Sequence, residues 1–294
     1  MHPFTILFLV ALCAMVATRL WLARRQAAHV AAHRDRVPGE FAESIPLASH
    51  QKAADYTVVK SRLGMIETVF GAVVLLALTL GGGLQALWHL AAWIAAPGTY
   101  VHGIAFIVGI ALVSGAIDLP FALYRTFVVE ARFGFNRMTL GLFLADLAKQ
   151  TAIGAALGIP LLGAVLWLMD RMGSMWWLYV WLTWVGFNLL ILVLYPTVIA
   201  PLFNRFSPLE DESLRGRIEA LLAKCGFKSR GLFVMDGSKR SSHGNAYFTG
   251  LGASKRIVFF DTLLSRLQPA EVEAVLAHEL GHFRRRHVHG KVCS

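Results

Sequence analysis

His278, Glu279 and His282 form an H-E-x-x-H array near the C-terminal end of the sequence. On a helix, residues four apart share a face, so the two imidazoles can point at one zinc ion. Glu279 follows His278 directly, where its carboxylate can reach a water held by that ion. A metallopeptidase needs this arrangement. The metal polarises a scissile carbonyl and acidifies the water, and the carboxylate takes the proton and passes it to the leaving amine.

The flanking residues favour a helix that presents the array. Pro269 suits a first helical position, and Glu271 and Glu273 then fall in the first turn, where carboxylates complement the helix dipole. Val272, Leu276, Leu280 and Phe283 recur at helical spacing, largely opposite the histidines. One face is thereby committed to a core and the other left for ligands. Upstream, residues 232–235, 245–249 and 256–260 read as strands, the last two joined through residues 250–255, with a polar turn at 236–240. Residues 207–211 read as a turn into a helix with Leu214, Ile218, Leu221 and Leu222 on its apolar face and Gly226 at its end. Asp261 precedes a short apolar helix.

Composition sets the wider context. The 294 residues are 56% hydrophobic and only 16% charged, with a mean hydropathy of +0.57, which is too apolar for a soluble domain of this size. Five apolar runs account for it, at about residues 3–22, 65–94, 102–119, 151–169 and 176–195. Gly81-Gly82-Gly83 marks the end of the second crossing, Asp118 and Pro120 the third, and Pro196 and Pro201 the fifth. The formal net charge of +10 is spread among the connections between runs. With no concentrated basic face and no recognition motif, a nucleic-acid partner is excluded. Lys and Arg crowd the first and third connections, whereas the second has none between residues 81 and 101 and the fourth has only Arg171. The positive-inside rule then sets the N-terminus outside and everything after about Pro201 in the cytoplasm. The three cysteines, Cys13, Cys225 and Cys293, match no zinc or disulfide spacing.

The expected fold is therefore mainly α. Residues 1–201 form a polytopic membrane helix bundle with about five spans in the lipid bilayer. Residues 202–294 form a cytoplasmic α+β, zincin-like metallopeptidase domain.

Several ordered segments, besides Val275-Leu-Ala-His-Glu-Leu-Gly-His282, carry a resemblance. They are Ala48-Ser-His-Gln-Lys-Ala-Ala-Asp-Tyr-Thr57, Glu130-Ala-Arg-Phe-Gly-Phe-Asn136, Ile199-Ala-Pro-Leu-Phe-Asn204, Phe206-Ser-Pro-Leu-Glu210, Met235-Asp-Gly-Ser-Lys-Arg-Ser-Ser-His-Gly-Asn-Ala-Tyr-Phe-Thr-Gly250 and Phe260-Asp-Thr-Leu-Leu264. Together they resemble the CAAX prenyl protease type 1 family of integral-membrane zinc metallopeptidases, over nearly all of the chain from about Pro38. The resemblance implies that His278 and His282 bind zinc and that Glu279 is the catalytic base. It implies that Asn245, Ala246 and Tyr247 belong to an edge strand that pairs with an extended peptide or protein substrate, lipidated or not, through main-chain bonds. Read without it, Asn245 and Tyr247 are ordinary strand residues, and Arg240 and His243 are solvated loop residues. The family architecture is a barrel of seven membrane helices around a chamber. Eukaryotic members process prenylated CaaX proteins; bacterial relatives are expected to turn over membrane proteins. The Ala, Leu and Arg bias points to a bacterial inner membrane, and a eukaryotic origin would mean the endoplasmic reticulum.

The pattern departs from that family at its end. A catalytic zinc takes three protein ligands, and the family's third is a glutamate well beyond the second histidine. The sequence closes at Ser294, so the expectation is a C-terminally truncated member with five spans present of an expected seven. Arg285 and Val288 stand where an H-E-x-x-H-x-x-G-x-x-H site needs glycine and histidine. His287 falls on the opposite face of a continued helix, and His289 lies about 10 Å further along its axis. Two functions stay open: a working zinc endopeptidase, or an inactive membrane protein that binds peptides or partners without cutting them.

Overall fold

The computed structural model of the chain describes residues 2–227, 229, 231–249 and 256–284, without the side chains of Thr249, Glu279 and residues 281–284. Two units emerge, Met1–Gly134 and Phe135–Ser294.

In the first unit, α1 (Pro3–Ala32) packs against α2 (Leu47–Thr79). Arg34, just past α1, donates from Nε and Nη2 to both carboxylate oxygens of Asp55 at 2.7 and 2.9 Å, a bidentate clasp between the two helices. A short α3 (Gly83–Ala91) lies against α4 (Tyr100–Tyr124), where the buried His102 ring donates to the Trp88 carbonyl and meets the indole edge-on. A π-helical stretch, Arg125–Glu130, follows α4 directly. Tyr56 donates to Glu130 Oε1 at 2.5 Å and packs edge-on against Phe133. Two segments singled out in the sequence, 48–57 and 130–136, thus meet through this contact. Glu67 and Arg125 pair at 2.6 Å beside a cavity of about 470 Å³ between α2 and α4.

The second unit begins with α5 (Leu140–Arg171) and α6 (Trp176–Leu194), continues through a π-helical stretch, Tyr195–Ile199, and reaches a last turn, α7 (Ala200–Phe203). Among the described residues, five helical segments are long and apolar enough to cross a membrane, and at most 6% of the most apolar window in each is buried. On α6 alone Trp177, Trp181 and Trp184 are exposed. Helices apolar all round and left uncovered are suited to lipid, not water.

Each of these helices outruns its apolar stretch. The second begins at Leu47, not Met65, and the fourth at Leu140, not Thr151. Hydropathy reports the hydrocarbon thickness, about 20 residues of helix, whereas intrahelical hydrogen bonds continue into the polar zone. Pro120, Pro196 and Pro201 do not end their helices either. Proline removes one i−4 bond, and in spanning helices π-type adjustments re-satisfy such freed groups; here one π stretch runs through Pro196 and ends just before Pro201, and another begins five residues after Pro120.

Beyond α7 the chain forms a four-stranded sheet in the order β1 (Phe206–Pro208), β2 (Leu232–Met235), β4 (Arg256–Phe260), β3 (Ala246–Thr249). β2 and β4 run parallel, with Leu232 opposite Ile257; β1 and β3 are antiparallel at the two edges. β1 replaces the expected turn at 207–211. Its Pro208 is tolerated because an edge strand need not donate on its outer side. Helices α8 (Glu212–Lys224), α9 (Asp261–Leu264) and α10 (Pro269–Arg284) cover one face of the sheet. Asp211 caps α8 by accepting from Leu214 N–H at 2.9 Å, and Gly226, at a φ of 65°, ends it. Leu214, Ile218 and Leu222 pack with Ile257, Phe259, Val272, Leu276 and Leu280 in the core.

Candidate functional site

The histidine helix is held from behind. Gln268 N–H donates to Glu271 Oε2 at 2.8 Å, so the first-turn carboxylate reaches back to cap the helix start. Val272, Leu276 and Leu280 are each 1% exposed against the sheet and α8. Arg217 on α8 donates from Nε and Nη2 to Glu273 Oε2. With that face fixed, His278 is exposed on the other side, and helical spacing puts position 282 one turn further along the same face. The side chains of Glu279, His282 and Phe283 lie outside the described residues, as do Arg285, His287, Val288 and His289. Among the described residues no group of three or more His, Cys, Asp or Glu side chains is placed to hold a metal. The donor chemistry of positions 278 and 282 nonetheless fits zinc: both residue types are imidazoles, and the positions fall one turn apart on a helix whose opposite face is buried in the core.

β3 lies at the sheet edge beside β4, with Ala246 opposite Phe259 and Tyr247 opposite Val258. Asn245 precedes the strand by one residue, and its carbonyl accepts from Phe260 N–H at 2.9 Å. Ladder bonds alternate, so the main-chain groups of Ala246 and Phe248 point off the edge. Asn245 Oδ1 accepts from Ala246 N–H at 2.8 Å and covers the first of those edge donors. Ala246 and Phe248 face the helical core, while Tyr247 faces the other way, its hydroxyl 3.9 Å from Met235 Sδ. It borders an 80 Å³ cavity shared with Tyr195, Pro196 and Phe233.

Burial first, and then the charge of Tyr195, raise the Tyr247 phenol above its ordinary pKa. A raised folded-state pKa contributes stability that is present below the unfolded value of about 10 and lost as pH rises through the folded one. Tyr247→Phe is expected to delete one late-ionising phenol from an ultraviolet titration and to flatten the alkaline fall in stability.

The loop between β2 and β3 corrects one sequence reading. Arg240 is not a solvated loop residue. Its guanidinium forks onto Asp146 of α5, Nε to Oδ2 at 2.7 Å and Nη2 to Oδ1 at 2.9 Å. It also donates to Asn204 Oδ1 at 2.7 Å and to the Phe203 carbonyl at 2.8 Å. The side chains of Arg240 and Asp146 are only 19% and 7% exposed. His243 is exposed, and its ring stacks on Phe135 at 4.3 Å. Asp146 lies in the polar connection just before the fourth apolar run. A carboxylate beside a spanning segment is the signal that marks it. At the start of the loop Gly237 has no room for a side chain: a Cβ there would sit 2.6 Å from Phe260 Cδ2. Gly237→Ala is expected to cost about 1–3 kcal/mol, read as a lower thermal midpoint.

The sequence and the structure have counterparts. The family model described as CAAX prenyl protease N-terminal, five membrane helices, matches residues 26–205, and that of peptidase family M48 matches residues 208–294. A Schizosaccharomyces pombe protein named "Probable CAAX prenyl protease 1" is 36% identical over 280 residues, covering 91% of this chain and 59% of the relative. An Arabidopsis thaliana CAAX prenyl protease 1 homolog is 43% identical over 188 residues, 64% of this chain and 44% of the relative. The chain thus spans roughly half the length of these two curated relatives. The crystal structure of S. mikatae Ste24p superposes with a TM-score of 0.91 at 32% identity, covering 100% of this chain and 70% of that one.

Proposed function

This chain belongs to the CAAX prenyl protease family of integral, multi-pass membrane proteins within the M48 peptidases, and from that membership we propose that it is a membrane-embedded zinc metalloendopeptidase. The observation that carries the reading is the pair of histidine positions one turn apart on α10, on the face opposite a buried Leu276 and Leu280. His278 and His282 would hold zinc, together with a third ligand that the family resemblance gives as a glutamate. When bound, zinc supplies polarisation of the scissile carbonyl and acidification of a water molecule. Glu279 then accepts the proton of the attacking water and passes it to the leaving nitrogen.

Asn245, Ala246 and Tyr247 would present the substrate. The off-edge main-chain groups of β3 can pair with an extended peptide whatever its sequence, and Asn245 Oδ1 would release Ala246 N–H as that strand arrives. Residues 1–201 are the membrane part and 202–294 the metallopeptidase part. The crowding of Lys and Arg in the first and third connections supports a cytoplasmic face for the second part. The Ala-, Leu- and Arg-rich composition favours a bacterial inner membrane and substrates drawn from membrane proteins at large; in the endoplasmic reticulum the substrates would be prenylated C-terminal peptides.

The test is made on the purified protein in lipid nanodiscs. One zinc ion per chain is expected by elemental analysis, with cleavage of a membrane-tethered peptide lost on chelation and recovered on adding zinc. Prenylated and plain versions of that peptide separate the two substrate classes. Peptide binding without zinc or cleavage would replace this reading with that of a peptide-binding membrane protein.

A further inference from the structure

The ten residues from Asp236 to Asn245 join β2 to β3, and they are clamped at nearly every second position. Asp236 exchanges two bonds with Arg205, its N–H donating to the Arg205 carbonyl and its Oδ1 accepting from Arg205 N–H. Ser238 donates from its N–H and its hydroxyl to the Asp261 carboxylate. Ser242 N–H donates to the Phe135 carbonyl at 3.0 Å, and Thr262 Oγ1 to the His243 carbonyl at 2.8 Å. A connection held this way transmits the position of its anchor to the strand that follows.

Arg240 is the anchor that ties this loop to α5. A planar guanidinium that satisfies a carboxylate bidentately, an amide oxygen and a carbonyl has one orientation only. The net stability of such a buried pair is small compared with apolar residues of the same volume. Direction is what the fork provides and what an apolar contact would not. Six residues on, the chain reaches the edge whose outward main-chain groups lie at Ala246 and Phe248.

We infer that Arg240, gripped by Asp146 and Asn204, is a positioning residue that sets where β3 presents its edge, and through it which bond of a paired peptide is offered for cleavage. The inference rests on the peptidase reading for its second half only. The first half, that the buried fork holds β3 in place, stands by itself.

Asp146→Asn and Arg240→Lys test it, because each keeps the size of the side chain and spoils the charged fork. In nanodiscs, mass spectrometry of the products should show cleavage spreading to bonds beside the one cut by the parent protein. A misplacement of about 1 Å should lower kcat by about 10–100-fold. Backbone exchange should rise about tenfold at Tyr247, whose N–H belongs to the ladder with β4, and stay unchanged in α8 and α10. A pair that served stability alone would lower the thermal midpoint and the amount of active protein, yet leave the same bond cut and β3 no more open than its neighbours; that result overturns the proposal. If Asp146→Asn does not fold, Asn204→Ser removes a single acceptor and gives the same readouts. If the parent protein cuts no peptide, the peptidase reading fails and exchange at Tyr247 alone decides whether the fork positions β3.

Discussion

Glu279→Gln is expected to lower peptide cleavage by about 10²–10⁴-fold while leaving zinc content and thermal midpoint at parental values. The amide keeps the size and the helix propensity of the carboxylate, so α10 and its buried face should be untouched. It cannot accept a proton at neutral pH, so the step that delivers a proton to the leaving nitrogen loses its carrier. Elemental analysis and a peptide assay on the same preparation make the check. Zinc retained with cleavage gone assigns the base to Glu279. Cleavage that persists would falsify that role and move the chemistry elsewhere in the protein. His278→Ala in parallel should lose the metal as well, which separates a ligand from a base.

The second large effect is expected on the opposite, buried face of the same helix. Leu276→Ala should cost about 2–5 kcal/mol, because a side chain 1% exposed leaves a cavity between α10, α8 and the sheet. Its neighbours Ile218 and Phe259 are 0% exposed and have little freedom to collapse inwards. The functional consequence follows from helix geometry: Leu276 and Leu280 hold the face opposite His278, so loosening them frees the helix that would carry both zinc ligands. Zinc affinity should fall along with stability, measured by competition with a chromogenic chelator. A variant that lost the stability but bound zinc as tightly as before would show that the two faces are not coupled.

The local pattern of a single element was legible wherever one physical period dominated. The stripe of Val272, Leu276 and Leu280 marks a helix because a buried face repeats at about 3.6 residues per turn, and each of the three is buried. The strands at 232–235 and 256–260 end where β2 and β4 end, since β-branched and aromatic runs bounded by polar turns have few alternatives. The five spans were legible as hydropathy, though not where their helices stop, because a backbone hydrogen bond is indifferent to the lipid boundary that ends an apolar run. Pro120 and Pro196 read as terminators for the same reason: the local rule counts the lost bond, and the helical backbone continues past both prolines.

Long-range pairing was not legible. β1 sits in a segment that reads as a turn, and it becomes a strand only because β2 offers a free edge to Phe206 and Ser207. Nothing near Arg240 announces Asp146, which lies 94 positions away in sequence. A charged residue in a polar loop is solvated by default, and only the folded chain can supply buried acceptors to reverse that default. The sequence by itself determined the spacing of His278, Glu279 and His282, on which the proposed zinc site rests, and the apolar runs, because each depends on residues a few positions apart. The folded chain determined which strand lies at the sheet edge, which main-chain groups point off it and what anchors the loop before it. Those depend on contacts between residues distant in the chain, whose free energy no local pattern encodes.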